Sequence, residues 1–268
     1  MLSTPQPWEW VAQGYEKTTL HFLSKFAAFA VEQAHLKAEH AVLDLACGPG
    51  TLSRMIYGQV QSIHAVDFSA AMIDLFNQYL EKSQIKNIQT YVADGQNLPF
   101  AENTFDRAFS MFGLIFFPDR LKGFSEMFRV LKPGGLALVS SWAPVEQSPA
   151  MQMMFGALRA AKPDLPEPKK NIMNLENPDV FRDELKQSGF ENIQIIPMRE
   201  FLEANSVAEF WEQMVLGSAP VVMLKKQVGD QNWAELERRS LEYLRHEIKQ
   251  IPVVLSSDAW LGVGHKPN

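Results

Sequence analysis

From about residue 40 onward, short apolar runs alternate with amphipathic helical patterns, and this alternation most narrows what the chain can fold into. Strands separated by helices pair in parallel, because the chain must cross back over the sheet to begin the next strand at the same end. Ala41–Leu45, Ser62–Asp67, Ile88–Ala93, Phe105–Met111 and Gly135–Trp142 read as the first five strands. Asn192–Leu202 reads as the sixth, and Val253–Lys266 contains a last one. Between the second and third, Met72, Leu75, Phe76 and Tyr79 recur at helical spacing, with Ser69 placed to cap them. Between the fourth and fifth, Leu121, Phe124, Phe128 and Leu131 form another stripe, stopped by Lys132-Pro133-Gly134-Gly135. Asn177, Pro178 and Gly189 bracket a further helix.

Three stretches fall outside this rhythm. Residues 8–37 are helical in pattern; residues 144–175 are rich in Pro and Met, with Pro163, Pro166 and Pro168 breaking any long helix; and residues 206–249 hold two helical patterns. The expectation is a single domain over 1–268 with its core in 40–145. Residues 8–37 would form a lid, and 144–175 and 206–249 a cap, around a substrate site.

Composition excludes several function classes. A net charge of −6 with six scattered His leaves no basic footprint for nucleic acid. One cysteine, Cys47, permits no internal disulfide, and the first residues have neither the basic segment nor the apolar stretch of a signal peptide. No apolar run is long enough to span a membrane. The expected location is the cytoplasm, with oligomeric state left open.

The most informative segment is Val42-Leu43-Asp44-Leu45-Ala46-Cys47-Gly48-Pro49-Gly50-Thr51. A buried strand runs into a small-residue turn, and a helix begins near Leu52. Gly48 and Gly50 let a ligand approach the backbone and let the chain take positive φ. The helix N-terminus behind the turn suits an anionic group. Asp67 ends the second strand, where a carboxylate can accept hydrogen bonds from both hydroxyls of a ribose. Asp94 ends the third, followed by Gly95 and Gln96. With Asp44 at the carboxyl end of the first strand, three acids at three successive strand ends converge on one crevice.

These segments resemble the class I methyltransferases that act on small molecules and in quinone biosynthesis. LDLACGPG is similar to that family's first motif, and AVDFSAAMI to its acidic second strand. VADGQNLPF is similar to its adenine-side segment, and FPDRLKGFSEMFRVLKPGG to the helix and turn before strand five. The resemblance covers roughly 40–145. It implies a doubly wound, mostly parallel, Rossmann-like sheet of seven strands in the order 3-2-1-4-5-7-6, the last antiparallel. It also implies S-adenosylmethionine as cofactor, S-adenosylhomocysteine as product, and a small-molecule acceptor.

On that resemblance Asp44, Ala46, Cys47, Gly48 and Gly50 form the loop at the methionine end, and Asp67 binds ribose. Phe68 and Met72 flank the adenine; Asp94, Gly95 and Gln96 meet its edge; Ser110 and Met111 lie beneath the sulfonium. Tyr15 matches an aromatic that closes over the cofactor. Phe117 stands where many members carry His, so no histidine base comes from that position.

Gly48-Pro49-Gly50-Thr51-Leu52-Ser53 also loosely matches a dehydrogenase fingerprint, but Asp44, Asp94 and the LKPGG turn are no part of that pattern. Nothing beside Cys47 in sequence would activate it as a nucleophile, which leaves it a packing role. No metal-ligand cluster is visible and no catalytic residue is assigned; His21 and His246 are the histidines worth testing as bases. Phe112, Phe116, Phe117, Trp142, Trp211 and Met214 would suit an apolar or aromatic acceptor, although core packing explains them equally. A non-catalytic module that binds the cofactor, or transfer of another alkyl group from a related sulfonium, stays open at this point.

Overall fold

Val42 to Leu45 are all buried, as befits a strand covered on both faces, and they form the centre of the sheet. The computed structural model describes residues 2–165 and 174–268, the side chains of Tyr15 and Glu16 apart. Its strands are β1 (Ala41–Leu45), β2 (Ser62–Asp67), β3 (Ile88–Val92), β4 (Phe105–Met111), β5 (Leu131–Trp142), β6 (Glu191–Ala204) and β7 (Val253–His265). They lie in the order β3-β2-β1-β4-β5-β7-β6. β7 runs antiparallel to both its neighbours, and the other pairs are parallel. This is the expected doubly wound sheet. Strand order reverses between β1 and β4, so a crevice opens at their carboxyl ends.

The helices are α1 (Gln6–Ala34), α2 (Ser53–Ile56), α3 (Ala70–Ser83), α4 (Arg120–Val130), α5 (Pro149–Ala161), α6 (Pro178–Gln187), α7 (Val207–Gly217), α8 (Ala219–Val228) and α9 (Asp230–Glu247). Side chains cap the starts of several: Ser69 Oγ accepts Met72 N–H, Asp119 Oδ1 accepts Lys122 N–H, and Asn177 Oδ1 accepts Asp179 N–H. Phe26, Ile56 and Phe76 of α1, α2 and α3 pack with Val42, Ile63 and Phe109 on one face of the sheet. Phe124, Met127 and Phe181 of α4 and α6 pack with Leu43, Val66 and Phe105 on the other. A third cluster joins Met154, Phe210, Trp211, Val221, Trp233 and Leu244 of α5 and α7–α9 to Leu202 and Val253, where β6 and β7 continue beyond the rest of the sheet. Deleting one of its buried aromatics would cost about 3–5 kcal/mol.

Several elements differ from the sequence reading. Residues 206–249 form three helices rather than two, because Pro220 restarts the chain in the first turn of α8 and Gly229, at φ 78°, separates α8 from α9. The Met-rich segment holds a full helix, α5, which ends before Pro163; Pro166 and Pro168 lie outside the described residues. Pairing on β5 starts at Leu131, opposite Phe105, and resumes at Leu136 opposite Arg107, so the Lys-Pro-Gly-Gly turn bulges from within the strand. The buried face of α4 carries Gly123, Phe124, Met127 and Val130, and Leu121 is exposed.

Candidate functional site: two adjoining hollows

After β1 the chain turns through Ala46, Gly48 and Gly50, all in the left-handed region at φ 56°, 54° and 87°. A Cβ on Gly48 would meet nothing within 4 Å, so its backbone faces open space. A Cβ on Gly50 would come within 2.3 Å of the Phe76 ring, so that glycine serves helix packing rather than ligand approach. The turn is tied to β2: Gly48 N–H donates to Asp67 Oδ2 at 2.8 Å, and Ser69 N–H donates to Asp67 Oδ1 at 2.9 Å. Burial pushes the Asp67 carboxyl up to about 6, against these backbone hydrogen bonds.

A hollow of about 250 Å³ opens over this turn. Of the residues singled out in the sequence, Ala46, Gly48, Asp67, Phe68, Met72, Asp94, Gly95, Gln96 and Met111 line it. Asp94 Oδ1 accepts the Gln96 N–H at 2.9 Å, which shapes the turn after β3. A Cβ at Gly95 would meet the Phe117 ring at 2.5 Å, so that glycine admits an aromatic wall.

Four of the singled-out residues stand behind the lining. Asp44 is buried and accepts Ser53 Oγ–H at 2.6 Å; burial pushes its carboxyl up to about 6. The Asp44 side chain thus lies at the start of α2, a helix of only four residues, behind the residues that line the hollow. Cys47 is buried, and desolvation pushes its thiol well up, away from nucleophile chemistry. Gly50 lies against Phe76. The buried Ser110 Oγ has no hydrogen-bond partner and lies 3.4 Å from where a Cβ on Gly113, a lining residue, would sit. The Tyr15 side chain lies outside the described residues.

Sequence reasoning missed Trp8, Phe112 and Gly113 as part of this hollow. Trp8 packs edge-on to Phe116 at 4.8 Å, while its Nε1–H donates to Leu2 O at 2.8 Å. Phe112 takes φ 56°, a costly conformation for an aromatic residue, and such strain concentrates at functional sites. Nothing in the local sequence marks Trp8, since it lies far along the chain from the other lining residues.

A second cavity, of about 350 Å³, shares Trp8, Phe112 and Phe116 with the first. Trp142, Met151, Met154, Phe155 and Met214 line it further on, with Glu176 on its wall. Phe112 stacks on Trp142 at 4.0 Å. Among the described residues no histidine lines either cavity; His21 and His246, the bases worth testing on sequence, are both exposed.

Residues 42–135 match the methyltransferase-domain family model. The chain is 34% identical over 125 residues to a ubiquinone/menaquinone biosynthesis C-methyltransferase of Coxiella burnetii, a match covering 45% of this chain and 50% of that one. It is 37% identical over 113 residues to the demethylmenaquinone methyltransferase of Desulfitobacterium hafniense, covering 41% and 45%. The chain thus spans about half the length of these curated relatives. The crystal structure of the YcgJ protein of Bacillus subtilis superposes with a TM-score of 0.60 over 90% of this chain and 98% of that one, at 18% identity, which shows a shared fold. Over the matched segment the chain is similar to a methyltransferase domain, and its sheet has the strand order expected for the class I fold.

Proposed function

We propose that the chain binds S-adenosylmethionine in the hollow over Gly48 and transfers its methyl group to a small apolar or aromatic acceptor in the adjoining cavity. The observation that carries this reading is the shared wall: Trp8, Phe112 and Phe116 line both spaces, so the two ligands would meet there. The residues of the hollow suit the cofactor. Gly48 exposes backbone, Asp67 offers a carboxylate for the ribose hydroxyls, and Phe68 and Met72 offer apolar faces for the adenine. The Ser110 hydroxyl, unpartnered and buried, has hydrogen-bonding capacity to spare beneath Gly113.

When bound, S-adenosylmethionine supplies an electrophilic methyl group. The chain's own contribution is position. Phe112 and Trp142 hold the acceptor face, Trp8 and Phe116 close the junction against water, and Met111 and Gly113 border it from beneath. Alignment of this kind is worth about 7–11 kcal/mol of barrier. No side chain is assigned as a base.

The relatives' names point to quinone rings as acceptors, and the apolar second cavity is compatible with one. Most of that cavity, however, is built by α1, α5, α7 and α8, outside the matched segment 42–135, so acceptor identity is a matter for this chain's own residues. Calorimetry with S-adenosylmethionine and S-adenosylhomocysteine tests the reading first; absence of saturable binding by the wild type would sink it. Transfer of labelled methyl to apolar aromatic compounds then separates an enzyme from a silent binder.

A further inference from the structure

The geometry points to an elongated, amphipathic acceptor: one end methylated beside Phe112, an apolar body along the second cavity, and a polar end group left in a charged vestibule between α1 and α7. This rests on the methyltransferase reading above and names the substrate class of the same site.

Three hollows lie in series. The second shares Trp8, Phe112 and Phe116 with the cofactor hollow, and Thr18, Phe22, Leu202 and Gln213 with a third space of about 500 Å³. The first and third have no lining residue in common. The second therefore lies between the other two and, on this proposal, joins them as a passage.

The aromatic rings set its span: Phe112 and Phe22 both lie against Trp142 and are at most about 10 Å apart, and the helical period puts Trp8, Thr18, Thr19 and Phe22 on one side of α1. An aromatic row floors the passage in the same direction. Phe112 stacks on Trp142 at 4.0 Å, and Trp142 lies parallel to Phe22 with centroids 6.4 Å apart.

Chemistry changes along this line. Met151, Met154 and Phe155 line the second cavity, with Glu176 its only carboxylate among the described residues, and this mostly apolar lining favours a body without charge. The outer space is lined by Lys17, His21 and Lys25 of α1 and by Glu203, Glu209 and Glu212 of β6 and α7. Lys25 donates to Phe201 O at 2.8 Å and lies 3.7 Å from Glu203, and Glu209 accepts Asn205 N–H at 2.7 Å. A mouth lined with charges of both signs stays hydrated and accommodates a polar terminus rather than an apolar tail. A compact acceptor would use only the end beside Phe112.

Straight-chain carboxylates of about six to about fourteen carbons serve as probes, titrated into the full chain saturated with S-adenosylhomocysteine. Affinity should rise about fourfold per added carbon until the passage is full, then level off. Coupling the carboxylate end to a short polyethylene glycol should change affinity by no more than about threefold, because that end lies outside. Gln213→Trp, which narrows the inner threshold, should weaken the longer probes by about tenfold or more and leave S-adenosylhomocysteine binding unchanged. Affinity indifferent to chain length, loss of binding on coupling, or displacement of S-adenosylhomocysteine by the probes would each overturn the proposal. Should Gln213→Trp disturb the nucleotide site, the wild-type series decides alone. Failure of S-adenosylhomocysteine to bind at all is read separately and sinks the underlying methyltransferase reading.

Discussion

The backbone N–H of Phe112 donates to the hydroxyl of Ser140 at 2.9 Å, which pins a left-handed aromatic residue at the junction of the two cavities. A hydroxyl from the neighbouring strand β5 thus fixes the wall where methyl donor and acceptor are proposed to meet. Ser140→Ala leaves that N–H buried without a partner and should cost about 1–3 kcal/mol of stability. Urea unfolding measures it; a variant as stable as the wild type would show that the bond does not hold the strained turn.

Gly113 and Ala46 are matched in size. A Cβ on Gly113 would come within 2.2 Å of the Ala46 Cβ, with no flexible atom to yield. Gly113→Ala alone should destabilise the protein by about 1–3 kcal/mol through overpacking. Combined with Ala46→Gly it should recover at least about 1 kcal/mol, since the clash goes and a non-glycine left-handed residue is relieved. Additive effects in the double-mutant cycle would disprove the direct contact.

Asp67 makes pH a probe of the site. Its folded pKa of about 6 lies above the ordinary carboxyl value of 3.8, so the folded state holds its proton more tightly than the unfolded chain. Stability contributed by this group is therefore present below about 4 and declines as pH rises through about 6; Asp44 adds in the same direction. Cofactor binding runs the opposite way, because ribose hydroxyls donate best to the ionised carboxylate. Affinity for S-adenosylhomocysteine should fall as pH drops from 7.5 to about 5, and Asp67→Asn should flatten that dependence. Calorimetry at several pH values checks both, and an unchanged slope in the variant would assign the effect elsewhere.

Ser110 gives a prediction of opposite sign for the free and bound forms. Removing a buried hydroxyl that has no partner should leave the free protein as stable or up to about 1 kcal/mol more stable. If that hydroxyl serves the methionine end of the cofactor, Ser110→Ala weakens nucleotide binding at the same time. Thermal unfolding with and without S-adenosylhomocysteine reads both quantities; equal ligand-induced shifts in variant and wild type would remove Ser110 from the site.

The order of elements from β1 to β5, the caps at Ser69 and Asn177, and the acid at the end of β2 could all be read in the chain, because each depends on neighbours within a few residues. Strand β1 shows itself by an apolar run interrupted only by Asp44, and the Gly48 turn by small residues directly after it. Those signals are local, and they carried the fold class and nine of the lining positions. Asp44 marks the limit of such signals: being at a strand end says nothing about which side its carboxylate turns to, and in the folded chain it accepts the Ser53 hydroxyl. Only the folded chain decided that Trp8, Phe112, Trp142 and Phe22 would line one passage. Their proximity comes from packing α1 against the ends of β4 and β5, a long-range outcome that no spacing within the sequence encodes.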